Sequence, residues 1–343
     1  MAKTKEVLTE GKSKFQETLD KLNKTYGVGT VLTLDSKTTG DYDIISTGSI
    51  GFDYVTLGVG GFVKGKMYEL MGWEGSGKST ICGHVVAECQ KKDGVVLYID
   101  GEHAVDKHYF EALGVDTKKM LIAQPSCGEE GFNIAMEMIQ TGTVDLIIID
   151  SDSSLIPKKV LDGEVGDSSI GRKALLNSNA YPKLKAALSQ HNVCVIVISQ
   201  YREKIGVMFG NPTTTQGGHA LKFYSDVRIE VSKSLAKEGD VTYGNITKVK
   251  AIKNKMSPPY KLSQFEIVYG QGIDKLGEVM ELINEHGIGR KYGKTMTIDE
   301  TKYDLEEFKV MLMDNKEFQD SIKERILNKI NNTEIKEDAA SEI

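Results

Sequence analysis

The sequence predicts an α/β fold around a mostly parallel central sheet, and three observations predict it. Strand-like and helix-like segments alternate from about Ile44 to Gly272. Three strand-like runs, at 95–100, 144–150 and 193–200, are almost continuously apolar, as parallel strands covered on both faces are. Finally, the stretch Gly72-Trp73-Glu74-Gly75-Ser76-Gly77-Lys78-Ser79-Thr80 joins a strand-like segment at 66–71 to a helix-like one at 80–89. Gly, four residues, then Gly-Lys-Ser in that context is a phosphate-binding loop.

Composition sets the limits. The chain has 343 residues, 40% hydrophobic, with 35 Gly, enough for a substantial core in one large or two unequal domains. The formal net charge of −6 carries no global basic signature, so any nucleic-acid site must be a local patch. Cys82, Cys89, Cys127 and Cys194 show no C-x-x-C spacing, which favours reduced thiols over disulfides or zinc. Residues 1–6 lack a signal-peptide core and no apolar run approaches ~18 residues, so a cytoplasmic protein with no membrane partner is expected.

Residues 1–43 read as an N-terminal helix-strand arm and linker. Leu8, Phe15, Leu19, Leu22 and Tyr26 make one narrow stripe on a charged helix over 3–26, ended by Gly27 and Gly29. Val31-Leu32-Thr33-Leu34 reads as a short strand, and 35–43 as a polar linker. The pattern allows the arm to cap its own core or to dock on a neighbouring copy.

Residues 44–272 form the core. In the phosphate loop, main-chain N–H groups and the following helix N-terminus would surround an anion, with Lys78 reaching the β and γ phosphates and Ser79 holding Mg2+. Asp100, Asp150 and Gln200 each end an apolar strand, and ligands of open parallel sheets bind beyond those ends. Asp150 reads as the magnesium-organising carboxylate, or as a cap for the next segment. Glu102 reads as the base that polarises an attacking water, or as a solvated loop residue. Gln200 can sense the γ phosphate and opens the segment 201–218, basic and glycine-flanked with Val207-Met208-Phe209 at its middle. That apolar tip either stacks on bases or packs on its own domain. The segments at 227–231, 247–252 and 264–269 alternate as antiparallel or edge strands do.

Residues 273–330 read as a small C-terminal α/β domain. Leu276, Met280 and Ile283 form one stripe, Phe318, Ile322, Ile326 and Ile330 another, with the glycine-rich 287–294 between them. Residues 331–343 are polar and acidic, and a disordered tail is expected.

With these residues placed, the chain resembles the bacterial RecA-type recombinases. The words that carry the resemblance are Ile45-Ser46-Thr47-Gly48-Ser49, the phosphate loop, Ile99-Asp100-Gly101-Glu102-His103-Ala104, Gly163-Glu164-Val165-Gly166-Asp167-Ser168, residues 204–212, Gly217-Gly218-His219-Ala220-Leu221-Lys222-Phe223-Tyr224, and Lys253-Asn254-Lys255. The resemblance implies a P-loop NTPase core of RecA type that uses ATP and Mg2+. It implies a self-assembled helical filament on single-stranded DNA that pairs it with double-stranded DNA and exchanges strands, with DNA-stimulated ATP hydrolysis.

By matched position, Glu102 is then the catalytic carboxylate and Gln200 the γ-phosphate sensor. Asp106, Tyr109 and Tyr269 hold adenine, and Lys253 and Lys255 reach the γ phosphate of a neighbouring subunit. Gly163, Glu164, Ile170, Gly171, Arg172, Lys173 and Ser178 fall in or beside the first DNA loop. Arg202, Lys204, Ile205, Gly206, Val207, Met208, Phe209, Gly210, Gly217 and Gly218 fall in or beside the second. Phe15, Leu19, Leu22, Lys222 and Phe223 join one subunit to the next.

Departures point to a divergent member, of phage or mobile-element origin. Trp73 and Gly75 replace the usual Pro and Ser of the loop. Leu175 and Pro182 occupy positions where relatives carry basic residues. The C-terminal domain is short, and its duplex-capture role rests on Arg290, Lys291 and Lys294. Two rivals stay open: a ring-forming helicase-like motor, and a regulatory DNA-binding scaffold with vestigial hydrolysis. The arm favours filaments over rings, and intact Lys78, Glu102 and Asp150 speak against the scaffold.

Overall fold

The computed structural model describes residues 2–27, 31, 42–164, 171–203, 213–215 and 217–341. The chain divides into two compact units, one ending at Tyr42 and the other starting at Asp43. The first is dominated by α1 (Ala2–Tyr26), rich in Lys, Glu and Leu, which favour helix. Asn23 ties Val31 to this helix, accepting from its N–H at 3.0 Å and donating to its carbonyl at 3.1 Å. Residues 32–34 of the expected strand lie outside the described residues.

The second unit opens with a ribbon of β1 (Ile44–Ile45) and β2 (Phe62–Val63). Then come β3 (Met67–Gly72), α2 (Lys78–Gln90), β4 (Val96–Asp100), α3 (Lys107–Ala112), β5 (Met120–Ala123), α4 (Gly128–Thr141) and β6 (Leu146–Asp150). After these follow α5 (Lys158–Leu161), α6 (Arg172–Leu188), β7 (Cys194–Glu203), β8 (Thr213–Thr215) and α7 (Ala220–Tyr224). The sheet is completed by β9 (Val227–Glu238), β10 (Val241–Asn254), β11 (Leu262–Val268) and β12 (Gly272–Ile273).

The main sheet runs β12-β11-β10-β9-β3-β7-β6-β4-β5, with β8 paired to β7. From β9 through β5 the neighbours are parallel, and from β9 outward to β12 they are antiparallel. The apolar runs are continuous because alternate residues feed two cores. Tyr68, Leu70, Tyr98, Ile148 and Ile196 pack on the α2 side, whereas Met67, Leu97, Ile147, Ile149 and Val195 pack with α4 and α6 residues. Each such buried aliphatic side chain contributes roughly 1.5–3 kcal/mol, so the strand ends that carry the polar groups are held rigidly. The edge strand β5 is only four residues long, too short for its apolar run to separate strand from helix by periodicity, and Leu121 and Ile122 at its centre are 45% and 48% exposed.

Beyond the sheet lie α8 (Lys275–Glu285), a meander of β13 (Gly289–Tyr292), β14 (Thr295–Ile298) and β15 (Thr301–Asp304), then α9 (Leu305–Asp314) and α10 (Lys316–Ser341). Both predicted stripes, on α8 and α10, enter one cluster with Met296 and Phe308, and Ile50, Tyr54 and Val55 of the core pack against it. The glycine-rich separator is the first hairpin of the meander. Where a disordered tail is expected from 331, α10 continues to Ser341. Extending an existing helix through Glu, Lys and Ala needs no new nucleus, so an apolar stripe is not required.

Candidate functional site

The phosphate loop is built by close packing of β3 on β9. A Cβ on Gly72 would stand 2.2 Å from the Val231 carbonyl oxygen, so only glycine fits where β3 turns away. Gly77 precedes α2 with φ +96°, a conformation that side chains with a Cβ rarely adopt. The free N–H groups of the first turn of α2 belong to that loop. A cavity of about 250 Å³ lies over it, lined by residues 74–80 with Glu102, Tyr109, Asp150, Ile198, Gln200, Asn245, Ile267 and Tyr269. Gly72 and Trp73, expected among the nucleotide-binding residues, do not line it. Their carbonyls instead accept from Lys78 Nζ at 3.1 and 2.7 Å. Burial pushes the Lys78 pKa below the ordinary lysine value, although the charges of Asp150 and Glu102 pull it upward.

Parallel register sets Asp100 of β4 beside Asp150 of β6. Ser79 donates to Asp150 Oδ2 at 2.8 Å and Tyr98 donates to the same oxygen at 2.6 Å. Burial raises the Asp150 pKa, against those two hydrogen bonds, and the negative charges of Glu102 and Asp100 add to the rise. A carboxylate and a hydroxyl are hard oxygen donors of the kind Mg2+ takes, and phosphate and water oxygens fill the remaining positions of such sites. Among the described residues no group of three or more His, Cys, Asp or Glu is arranged for a metal.

Asp100 departs from the expectation that it faces the ligand. It does not line the cavity, and it accepts instead from the N–H groups of Ala104 and Val105 and from the Gln124 amide. That shapes the turn carrying Glu102, whose Oε1 accepts from Ser151 Oγ at 2.6 Å and from Gln200 Nε2 at 2.8 Å. Tyr109 shares a hydrogen bond with Thr80 at 2.8 Å, and Tyr269 donates to Asn245 at 3.1 Å. Asp106 is not brought to the cavity; its carboxylate caps α3 by accepting from Tyr109 N–H.

The two loop feet meet on one network. Tyr201, Arg202 and Glu203 of β7 pair with Thr215, Thr214 and Thr213 of β8, and residues 204–210, like Ile170, lie outside the described residues. Gly171, with φ +76°, precedes α6. Gly163, Glu164 and Ser178 are exposed. Buried Asp152 accepts from Asn177 and from Tyr181 OH at 2.5 Å, and Asn177 also donates to the Gly217 carbonyl at 3.1 Å. Gly218 follows, against Ala174. Lys173 is turned inward, donating to the Leu155 carbonyl at 2.7 Å beside Asp152 at 3.5 Å, and burial lowers its pKa. Its charge is therefore spent on the fold. Arg172 donates to the Lys159 carbonyl at 2.5 Å.

The family model described as the RecA N-terminal domain matches residues 13–274. The Protein RecA of Cytophaga hutchinsonii is 47% identical over 319 residues, covering 92% of this chain and 90% of the relative. That of Porphyromonas gingivalis is 43% identical over 316 residues, 91% of this chain and 93% of the relative. That of Clostridioides difficile is 43% identical over 313 residues, 90% of each. The chain belongs to the RecA family. It is accordingly a recombinase and a DNA-dependent ATPase. Among its described residues no helix is long and apolar enough to cross a membrane.

For a RecA-family chain the lysine pair stands apart from its own phosphate loop. Lys253 pairs with Arg228, which lies beside Glu69 near the start of β3. The loop begins three residues further along that strand, on the order of 10 Å away. Lys253 Nζ points away, onto the carbonyls of Lys222, Phe223 and Ser225 at 2.6–3.1 Å, and Lys255 pairs with Asp226 at 3.3 Å. Burial and the neighbouring charges of Lys255 and Arg228 lower the Lys253 pKa. Phe223 is 68% exposed and Phe15 62%, while Leu19 and Leu22 are half-buried.

Sequence reading missed Tyr98, Ser151, Asn245, Ile198 and Ile267. Asn245 and Ile267 face each other in the β10–β11 register, a cross-strand pairing that no local pattern announces. Ser151 follows a residue already singled out, so its position next to Asp150 was the available signal.

Proposed function

We propose that the cavity over the phosphate loop binds ATP and that the loop segments 163–171 and 201–216 bind single-stranded and double-stranded DNA. The chain assembles on single strands as a helical filament that carries out homologous pairing and strand exchange. The observation that carries this reading is Glu102, held at the cavity by Gln200 and Ser151, opposite Lys78.

In this reading the loop N–H groups and Lys78 bind the phosphates, and Tyr109 and Tyr269 flank the base. Ser79 and Asp150 hold Mg2+, which when bound neutralises phosphate charge. Glu102 orients and deprotonates the attacking water, and it is freed for that task as Gln200 turns its amide to the γ phosphate. Gln200 lies one residue before the β7–β8 foot, so the exchange of partners is passed to the second loop. Lys253 and Lys255 supply cations to the neighbouring subunit's site. The position of this pair far from its own loop supports that role, as does the exposed Phe223 beside it. ATPase rates with and without single-stranded DNA, measured beside a strand-exchange assay, test the reading: DNA should accelerate turnover and exchange should require ATP. Closed rings in electron micrographs, with no exchange, would favour the motor instead.

A further inference from the structure

We propose that Trp73 and Tyr201 form a second link between the phosphate loop and the second DNA loop, acting beside the Gln200–Glu102 contact. This rests on the reading that the second loop touches DNA. The two rings meet edge to face, with centroids 5.9 Å apart and planes at 68°. Trp73 is a loop residue whose carbonyl accepts from Lys78, the cation that reads phosphate, at 2.7 Å. A change of partner at Lys78 therefore acts directly on the Trp73 backbone. On the other side, Tyr201 is the first rung of the β7–β8 ladder, opposite Thr215. Its hydroxyl donates to Glu230 at 2.9 Å, on the strand that β3 pairs with. That bond helps to orient the ring, and the edge-to-face ring contact, not the hydroxyl, carries the coupling. Trp73 keeps 45% of its surface exposed, so the indole is not locked in a core and can follow the loop. Trp73 and Tyr201 are positioning residues in this scheme and need touch neither ATP nor DNA.

Trp73 is the sole tryptophan of the chain, and its emission reports on the contact. Oligothymidylate affinity, measured with and without a nonhydrolysable ATP analogue, defines the coupling as a ratio. Tyr201→Ala should lower that ratio by roughly threefold to tenfold, the range of one aromatic pair, and Tyr201→Phe should restore it. The Trp73→Ala and Tyr201→Ala losses should not add in the double variant. In the unsubstituted protein, Trp73 emission should change with the analogue and again with oligothymidylate; Tyr201→Ala should abolish the second change. Should Tyr201→Ala fail to fold, Tyr201→Leu keeps the bulk and should show the same loss. A wild-type ratio in the variant that folds, or additive losses, overturns the link. Phe209→Ala tests the underlying reading separately: undiminished oligothymidylate binding in that variant removes the second loop from DNA and the proposal with it.

Discussion

Gln200 donates its side-chain amide to Glu102 at 2.8 Å, so the proposed sensor of the γ phosphate and the proposed base share one hydrogen bond across the sheet. In the proposed mechanism this bond holds the carboxylate until it is needed. An amide that turns to phosphate leaves Glu102 with Ser151 alone.

Glu102→Gln should keep ATP-dependent DNA binding and lose hydrolysis by about 10²–10⁴-fold, the usual contribution of a positioned base. The amide preserves the size and one acceptor but cannot take the proton. Steady-state phosphate release beside DNA affinity checks this, and unaltered turnover would take Glu102 out of the mechanism.

Lys253→Ala should reduce turnover steeply, on the order of 10³-fold if it acts as a cation in trans. Because Lys253 and Glu102 of one subunit would serve different sites, mixing the Lys253→Ala and Glu102→Gln proteins should recover activity absent from either alone. Mixtures as inactive as their components would assign both residues to one site.

Phe209→Ala should weaken single-strand binding by about 1–3 kcal/mol if its ring stacks on or wedges between bases. Affinity should also fall with rising salt, since phosphate contacts release counterions. Titrations at several salt concentrations check both, and a flat salt profile would contradict binding through basic loop residues.

Glu278 offers a pH test of how the C-terminal segment is joined to the core. Its Oε1 accepts from Ser49 Oγ at 2.5 Å and from Gly51 N–H at 3.0 Å, while Oε2 is buried without a partner among the described residues. Burial raises its pKa from 4.5 to about 7, against the Ser49 and Gly51 hydrogen bonds. With the folded pKa above the unfolded one, the folded state holds the extra proton between those values, and stability falls as pH rises through that window. Above about 7 the loss is complete, about 3 kcal/mol at most for this shift. Glu278→Gln should therefore gain on the unsubstituted protein from about pH 4.5 to about pH 7, as read from denaturation midpoints. Parallel profiles would show that Glu278 ionises without penalty.

Much of this was legible beforehand. The strand cores at 95–100, 144–150 and 193–200 announced themselves because burial on both faces demands unbroken apolar runs. The nucleotide loop announced itself because only glycine tolerates the approach of Gly72 to Val231 and the φ of Gly77. Asp100 and Asp150 looked alike, each closing an apolar strand, and only hydrogen-bond partners separate the turn-shaping residue from the cavity-lining one.

By itself the sequence determined the α/β class, the phosphate loop and, through its long matching words, the family, since local geometry and residue chemistry are written in adjacent positions. The tertiary structure decided that Lys173 spends its charge on Leu155 and Asp152, that Asp152 joins the feet of both loops through Asn177, and that Trp73 meets Tyr201. Those contacts link residues far apart in the chain, and side-chain direction and burial, which set them, exist only once the sheet has been assembled.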